Sequence, residues 1–182
     1  MWDDLPVKTD ILTNVTKIMK QHVSLSTYCI TVTIIALLLL GGLFTYGLFN
    51  SEQWVVTLVG IMIAIALLSS LFYMPVTISV NRESVIVNRP LCDKELRMDE
   101  IKSIKLMQPS ALSTSRLCGS NGMFGYWGWF RDNEHGRYFA YYGKVRDCFI
   151  IELRNGRKYM LSCDNCRIVT NYIQQYLNEL QR

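Results

Sequence analysis

The chain has 182 residues, 50% of them apolar, and a formal net charge of +4. This length alone would suit one ordinary soluble domain, but the distribution of charge argues against it. No Asp, Glu, Lys or Arg occurs in residues 23–51, and after Glu52 none occurs again in residues 53–81.

The first predicted unit, residues 1–26, is a cytoplasmic N-terminal segment. Apolar side chains recur in it at helical spacing, at Ile11, Val15, Ile18 and Met19. One interpretation is an amphipathic helix lying on the membrane surface. The other is a short helix that extends the first span or packs on the domain, and the sequence leaves both open.

Residues 27–75 are predicted to form a hairpin of two transmembrane helices. Tyr28–Phe49 and Trp54–Tyr73 each supply the roughly 20 apolar residues that cross a bilayer core of about 30 Å. Residues 50–53 leave room only for a tight turn. Pro75 should end the second helix, because proline disfavours helical geometry at the residue before it.

The residues that flank the hairpin predict its orientation. Lysines and arginines occur on both outer sides of the two spans, whereas their connecting turn has none. The positive-inside rule therefore places both termini in the cytoplasm. The first apolar run begins too far along the chain, and is too long, for a cleaved signal peptide, so we expect the anchor to persist.

Small residues within the spans predict surfaces for helix packing. They are Gly41 and Gly42 on the first helix, and Gly60 and Ala64 on the second. Neither span contains an ionisable group of the kind that marks an ion path or proton relay. A transporter or channel is therefore disfavoured.

Residues 76–182 are predicted to form a mainly β cytoplasmic domain. Short β-prone runs predict seven strands, at 77–81, 84–88, 95–97, 101–107, 137–142, 148–153 and 158–162. The Asn155-Gly156 pair predicts a hairpin with a type I′ turn between the last two strands.

An amphipathic helix should end this domain. Its apolar stripe comprises Ile168, Tyr172, Ile173, Tyr176, Leu177 and Leu180. Asp164 or Asn165 could cap its first turn.

The most unusual segment is Arg116–Arg131, here called the glycine-aromatic segment, with a glycine at every third position from Gly119 to Gly128. One hypothesis is a loop that binds lipid or a partner protein. Its aromatic side chains would enter the headgroup layer while arginines hold phosphate or carboxylate groups. The candidate binding residues are Arg116, Phe124, Tyr126, Trp127, Trp129, Phe130, Arg131 and Arg137. The alternative is a compact Ω-loop whose aromatics only cover the end of the β-barrel.

Six cysteines are expected to be mostly free thiols, since topology places five of them in the reducing cytoplasm. Cys163-x-x-Cys166 has the spacing of half a zinc knuckle or of a redox pair. Zinc needs four ligands and no second pair accompanies this one, so no metal site is expected. Chance or structural use is the ordinary explanation, although Cys166 near a helix N-terminus could have a lowered thiol pKa.

The order of these elements resembles the bacterial pleckstrin-homology (PH) domain membrane proteins. The likeness covers residues 76–180, most clearly the glycine-aromatic segment, Gly136–Tyr142 and Ser162–Cys166. It implies about seven antiparallel strands in a partly open barrel, capped by one C-terminal α-helix, behind a two-helix anchor in the bacterial inner membrane. The first hairpin, residues 77–88, has no compact Lys/Arg cluster, so phosphoinositide binding is not carried over.

These features favour a non-enzymatic, membrane-anchored interaction or scaffold module that self-associates. A regulatory or sensing subunit that uses the glycine-aromatic segment is the alternative, and a thiol redox protein using Cys163 and Cys166 is a third. No phosphate-loop, dinucleotide or nucleophile-elbow pattern occurs, so no cofactor and no small-molecule substrate are indicated. The expected partners are the lipid bilayer and a second copy or another membrane protein. Scattered charges disfavour nucleic acid.

Overall fold

The computed structural model describes residues 19–50, 53–107 and 114–180. Its helices are α1 (Thr27–Asn50), α2 (Gln53–Tyr73) and α3 (Cys166–Leu180). The described residues form ten strands: β1 (Met19–His22), β2 (Thr77–Val80), β3 (Ser84–Asn88), β4 (Lys94–Arg97), β5 (Ile101–Leu106), β6 (Thr114–Gly122), β7 (Gly125–Asp132), β8 (Gly136–Tyr142), β9 (Cys148–Leu153) and β10 (Lys158–Ser162).

The two apolar helices have the predicted bounds to within a residue or two. Both are long and apolar enough to cross a membrane, and only 6% of the most apolar stretch of each is buried. The core helix of a soluble protein would be mostly buried instead, because apolar surface is costly to leave in water. The turn predicted between them falls partly on residues 51 and 52, which lie outside the described residues.

The packing of α1 against α2 uses part of the predicted set of small residues. A Cβ on Gly60 would lie 3.5 Å from the Phe44 ring, in ordinary contact. Gly41 and Gly42 face open space, and Ala64 is exposed. Within one chain, therefore, only Gly60 of the four lies at a contact between the helices.

The β-domain consists of two open sheets and α3. The four-stranded sheet has the order β1-β2-β3-β4, and the six-stranded sheet the order β5-β9-β10-β8-β7-β6. Side chains from both sheets and from α3 form the main core, including Ile78, Leu161 and Ile173, each with no exposed surface. Two long apolar helices followed by an open, mostly β domain with a C-terminal helix confirm the predicted fold class.

One strand pair differs from the predicted antiparallel arrangement. β10 pairs with β9 in antiparallel register but with β8 in parallel, with Met160 opposite Ala140. The cause is the path of the chain. β9 lies beside β5, and β10 returns into the gap next to β8.

The N-terminal segment contributes a strand where helical spacing had suggested a helix. Met19–His22 pairs with β2, with Lys20 opposite Ser79. A free edge of β2 offers four residues of backbone pairing, which overrides weak helical periodicity. The rest of the proposed helix, residues 1–18, lies outside the described residues.

The glycine-aromatic segment is a β-hairpin, so both predictions of a loop were wrong. β6 and β7 pair from Thr114–Asp132 to Gly122–Gly125, and β7 continues the sheet by pairing with β8. Here these two strands are called the β6–β7 hairpin. Because glycine occupies every third position, the segment lacks the alternation of apolar and polar residues by which strands are recognised.

Two smaller predictions also need correction. Gly156 has a φ of 80° but Asn155 does not have positive φ, so the β9–β10 turn is not type I′. The Gly156 N–H donates to the Leu153 carbonyl at 3.0 Å, the pattern of a three-residue hairpin loop. On α3, Ile168 is exposed whereas Val169, Ile173 and Leu177 are buried. The Leu180 side chain lies outside the description.

Candidate functional site

Two glycine pairs hold the β6–β7 hairpin together. Gly119 lies opposite Gly128, and Gly122 opposite Gly125. All four have φ between 101° and 128°, a region that residues with a side chain rarely adopt. A Cβ on Gly128 would lie 2.3 Å from the Cys118 carbonyl oxygen, and one on Gly119 would lie 2.1 Å from that of Trp127. Gly119 and Gly128 therefore permit the close approach of the two strands.

The tip of the hairpin lies against α1. The Phe124 N–H donates a 2.9 Å hydrogen bond to the Thr33 hydroxyl. A Cβ on Gly122 would lie 2.9 Å from the Tyr28 ring, so this glycine permits the contact. Thr33 is six residues into α1, about 9 Å along its axis. The hairpin thus reaches past the end of the apolar helix and along its side.

An aromatic row joins the hairpin to the end of α2. The Trp127 ring stacks on Tyr73 with centroids 5.2 Å apart, and Trp129 meets Phe139 edge-on at 5.1 Å. The Arg137 guanidinium lies 4.2 Å from the centroid of Trp129, a cation–π contact. Tyr73 is the last residue of α2, so this row ties the six-stranded sheet to the apolar helix hairpin.

The opposite face of β7 belongs to the interior. Phe130 is 1% exposed and packs with Tyr138 and Tyr142 in a second core on the far side of the sheet. Tyr126 stacks on Tyr142 at 4.7 Å, and burial raises the pKa of Tyr126 to about 12. Phe130 and Tyr126 therefore hold the hairpin in the domain rather than presenting a binding surface.

A groove of about 380 Å³ lies between the hairpin and the two apolar helices. The helices contribute Val32, Ala36, Ala66, Ser69 and Ser70, and the hairpin contributes Arg116, Gly119, Ser120, Asn121, Met123 and Trp127. Its apolar lining comes from both the helices and the hairpin, and Arg116 is the only charged side chain among these lining residues. The Arg116 guanidinium donates to the Gly119 carbonyl at 3.3 Å, which holds it over the groove.

The predicted binding residues are divided among four places, since Tyr126 and Phe130 face the second core. Arg116 and Trp127 line the groove, and Phe124 is at the tip. Arg131 and Arg137 are exposed cross-strand partners away from it, with Trp129 beneath Arg137. Thr33 and Tyr73 contact the hairpin but were not among the binding residues predicted from the sequence. Tyr73 could have been found as the aromatic residue ending a span just before Pro75.

The acidic residues near the hairpin have structural roles. Asp132 is buried, and its carboxylate accepts the backbone N–H groups of Glu134 and His135, which closes the β7–β8 turn. Lys158 donates to the His135 carbonyl at 2.8 Å. Within the described ranges, no group of three or more His, Cys, Asp or Glu residues is placed to hold a metal ion.

The comparison with family models agrees with this architecture. The model described as "Bacterial PH domain" matches residues 76–177, more than half of the chain. The chain belongs to this bacterial PH domain family. No match was found among curated proteins or among solved structures. The match begins just after α2 and so excludes β1, although β1 completes the four-stranded sheet of this PH domain.

The glycine pairs yield a direct prediction. Gly128→Ala should lower the stability of the domain by about 1–3 kcal/mol, the usual cost of a non-glycine residue in such backbone, with the Cys118 clash added. Ser115→Ala, at an exposed position of β6 in the same hairpin, serves as the control and should change the melting temperature little. Thermal unfolding of the detergent-solubilised protein measures both. Equal melting temperatures for the two variants would show that the hairpin does not require glycine here.

Proposed function

We propose that this protein is a non-catalytic binding and scaffold module, anchored in the bacterial inner membrane, that works on the cytoplasmic side. Membership of the PH domain family supports a binding or scaffold role. The single observation that carries the proposal is the packing of the β6–β7 hairpin on α1 and α2, through Phe124–Thr33 and Trp127–Tyr73. A PH domain fixed in this way presents its surfaces at the bilayer and not in the bulk cytoplasm.

The charge distribution supports a cytoplasmic placement with both termini inside. Basic residues flank the helix pair on both outer sides, including Lys20 and Arg82. From residue 76 onward, Lys and Arg exceed Asp and Glu by 16 to 11. This sign suits the anionic inner leaflet, where each nearby basic group adds about 1 kcal/mol.

Self-association is the second element of the proposal. Gly41 and Gly42 lie on α1 where α2 does not cover them, and small residues allow the backbones of two helices to approach. The occupant we propose is α1 of a second copy.

The mass of the protein in mild detergent tests this element. Light scattering should give a multiple of the 21.0 kDa chain mass, and Gly42→Leu should shift the protein toward the monomer. Met62→Leu, a change of similar polarity at a position that is 68% exposed on α2, should leave the mass unchanged. A strictly monomeric wild-type protein would contradict self-association.

A second candidate function is recognition of an anionic phospholipid, and the groove favours it. Its walls combine apolar helix residues with one guanidinium, which suits acyl chains beside a phosphate. Because the groove lies beside the apolar helices, the bilayer that we propose around them would supply such a phospholipid. Of the eight predicted binding residues, this function would use Arg116 and Trp127 directly.

Lipid retention tests the groove. Native mass spectrometry of protein extracted from membranes should show bound phosphatidylglycerol, and Arg116→Gln should reduce it about fivefold, the loss of roughly 1 kcal/mol. Arg131→Gln removes an exposed arginine from the adjacent strand and is the matched control. If both variants retain phosphatidylglycerol as the wild type does, Arg116 does not recognise the headgroup.

A further inference from the structure

The turn between β10 and α3 brings two thiols into contact. The Cys163 Sγ lies 3.3 Å from the Cys166 Sγ, and the Cys163 thiol donates to it. Both side chains are buried, at 2% and 5% exposure. A disulfide bond is about 2.05 Å long, so the two sulfurs would need to move together by little more than 1 Å.

The surroundings distinguish the two sulfurs. Cys166 is the first residue of α3, and its sulfur accepts the Cys163 N–H at 3.1 Å. The hydrogen bond from the Cys163 side chain, followed by that from the Cys163 backbone, lowers the pKa of the Cys166 thiol. When it is protonated, the Cys166 thiol also donates a hydrogen bond to the Asp147 carbonyl at 2.9 Å. Cys148 differs, since burial raises its pKa well above the ordinary value.

Of the two cysteines, only Cys166 lines the cavity beside this turn. A cavity of about 690 Å³ reaches Cys166, whereas Cys163 is not among its lining residues. Its charged lining residues are Arg146, Arg167, Asp147 and Asp164, so the two signs balance. Cys166 is therefore placed to react first, and Cys163 to resolve the product.

We propose that Cys163 and Cys166 form a reversible dithiol–disulfide pair that responds to low-molecular-weight disulfides such as glutathione disulfide. The Cys166 thiolate attacks one sulfur of the disulfide and releases one thiolate, which leaves a mixed disulfide on Cys166. The Cys163 thiol then loses its proton and attacks the Cys166 sulfur, releasing the second thiol. The protein loses two protons and two electrons, and one disulfide becomes two thiols.

Closure of this bond would act on the chain that enters α1. The Asp164 N–H donates to the His22 carbonyl at 3.0 Å, and the Asn165 side-chain amide donates to Gln21 at 3.0 Å. The turn thus holds β1, which leads into the first apolar helix. The oxidation state of the Cys163–Cys166 pair is therefore linked to the junction between the domain and the apolar helices, independently of any lipid or partner binding.

Peptide mapping of the full-length protein in detergent tests the pair. After incubation with glutathione disulfide and alkylation of the remaining thiols, the tryptic peptide 159–167 should be two hydrogens lighter and unalkylated, and dithiothreitol should restore both alkylation sites. In the reduced protein at neutral pH, Cys166 should alkylate at least about tenfold faster than Cys148.

Two variants complete the experiment. Cys163→Ser should accumulate glutathione on Cys166, because no resolving thiol is present, and Cys148→Ser should leave formation of the 163–166 disulfide unchanged. Full alkylation of peptide 159–167 after oxidation of the wild-type protein would overturn the proposal. So would glutathione confined to the exposed Cys92 and Cys118.

Discussion

The close approach of the β6–β7 hairpin to the apolar helices is the constraint on which the rest of the structure depends. Gly122 leaves room for the Tyr28 ring, and the Phe124 N–H can then reach the Thr33 hydroxyl. The Gly119–Gly128 pair brings the two strands together behind this tip. With a side chain at either position of that pair, the two backbones could not pack at this distance. The segment would then no longer form this strand pair, and its tip would lose its contact with α1.

This packing makes the PH domain and the pair of apolar helices a continuous unit. Tyr73 ends α2 and stacks on Trp127, while β1 precedes α1 and pairs with β2. The chain therefore enters and leaves the helix pair through elements of the domain itself. Any ligand bound in the groove would contact both the PH domain and the apolar helices, so its binding would affect both parts.

Much of this architecture was predictable from the sequence because its signals are local. Charge-free runs predicted the helices, and short β-prone runs bounded by turn residues predicted strands such as β3 and β9. The parallel β8–β10 pair depends on the path of the chain, which no local pattern contains. The β6–β7 hairpin was missed because its glycines serve backbone geometry instead of burial. Of the candidate site, Arg116 and Trp127 were predicted to bind and do line the groove. Thr33 was missed because its role depends on a contact ninety-one residues away.

Photo-crosslinking at Trp127 in intact membranes tests the central claim, that the hairpin is seated on the apolar helices. A benzophenone amino acid in place of Trp127 should attach to the peptide containing Tyr73, because the two rings stack at 5.2 Å. The same residue in place of Phe149, a fully buried core side chain, should attach only within the β-domain. Attachment of the Trp127 probe solely to the β-domain or to lipid, with no adduct on α2, would contradict the account.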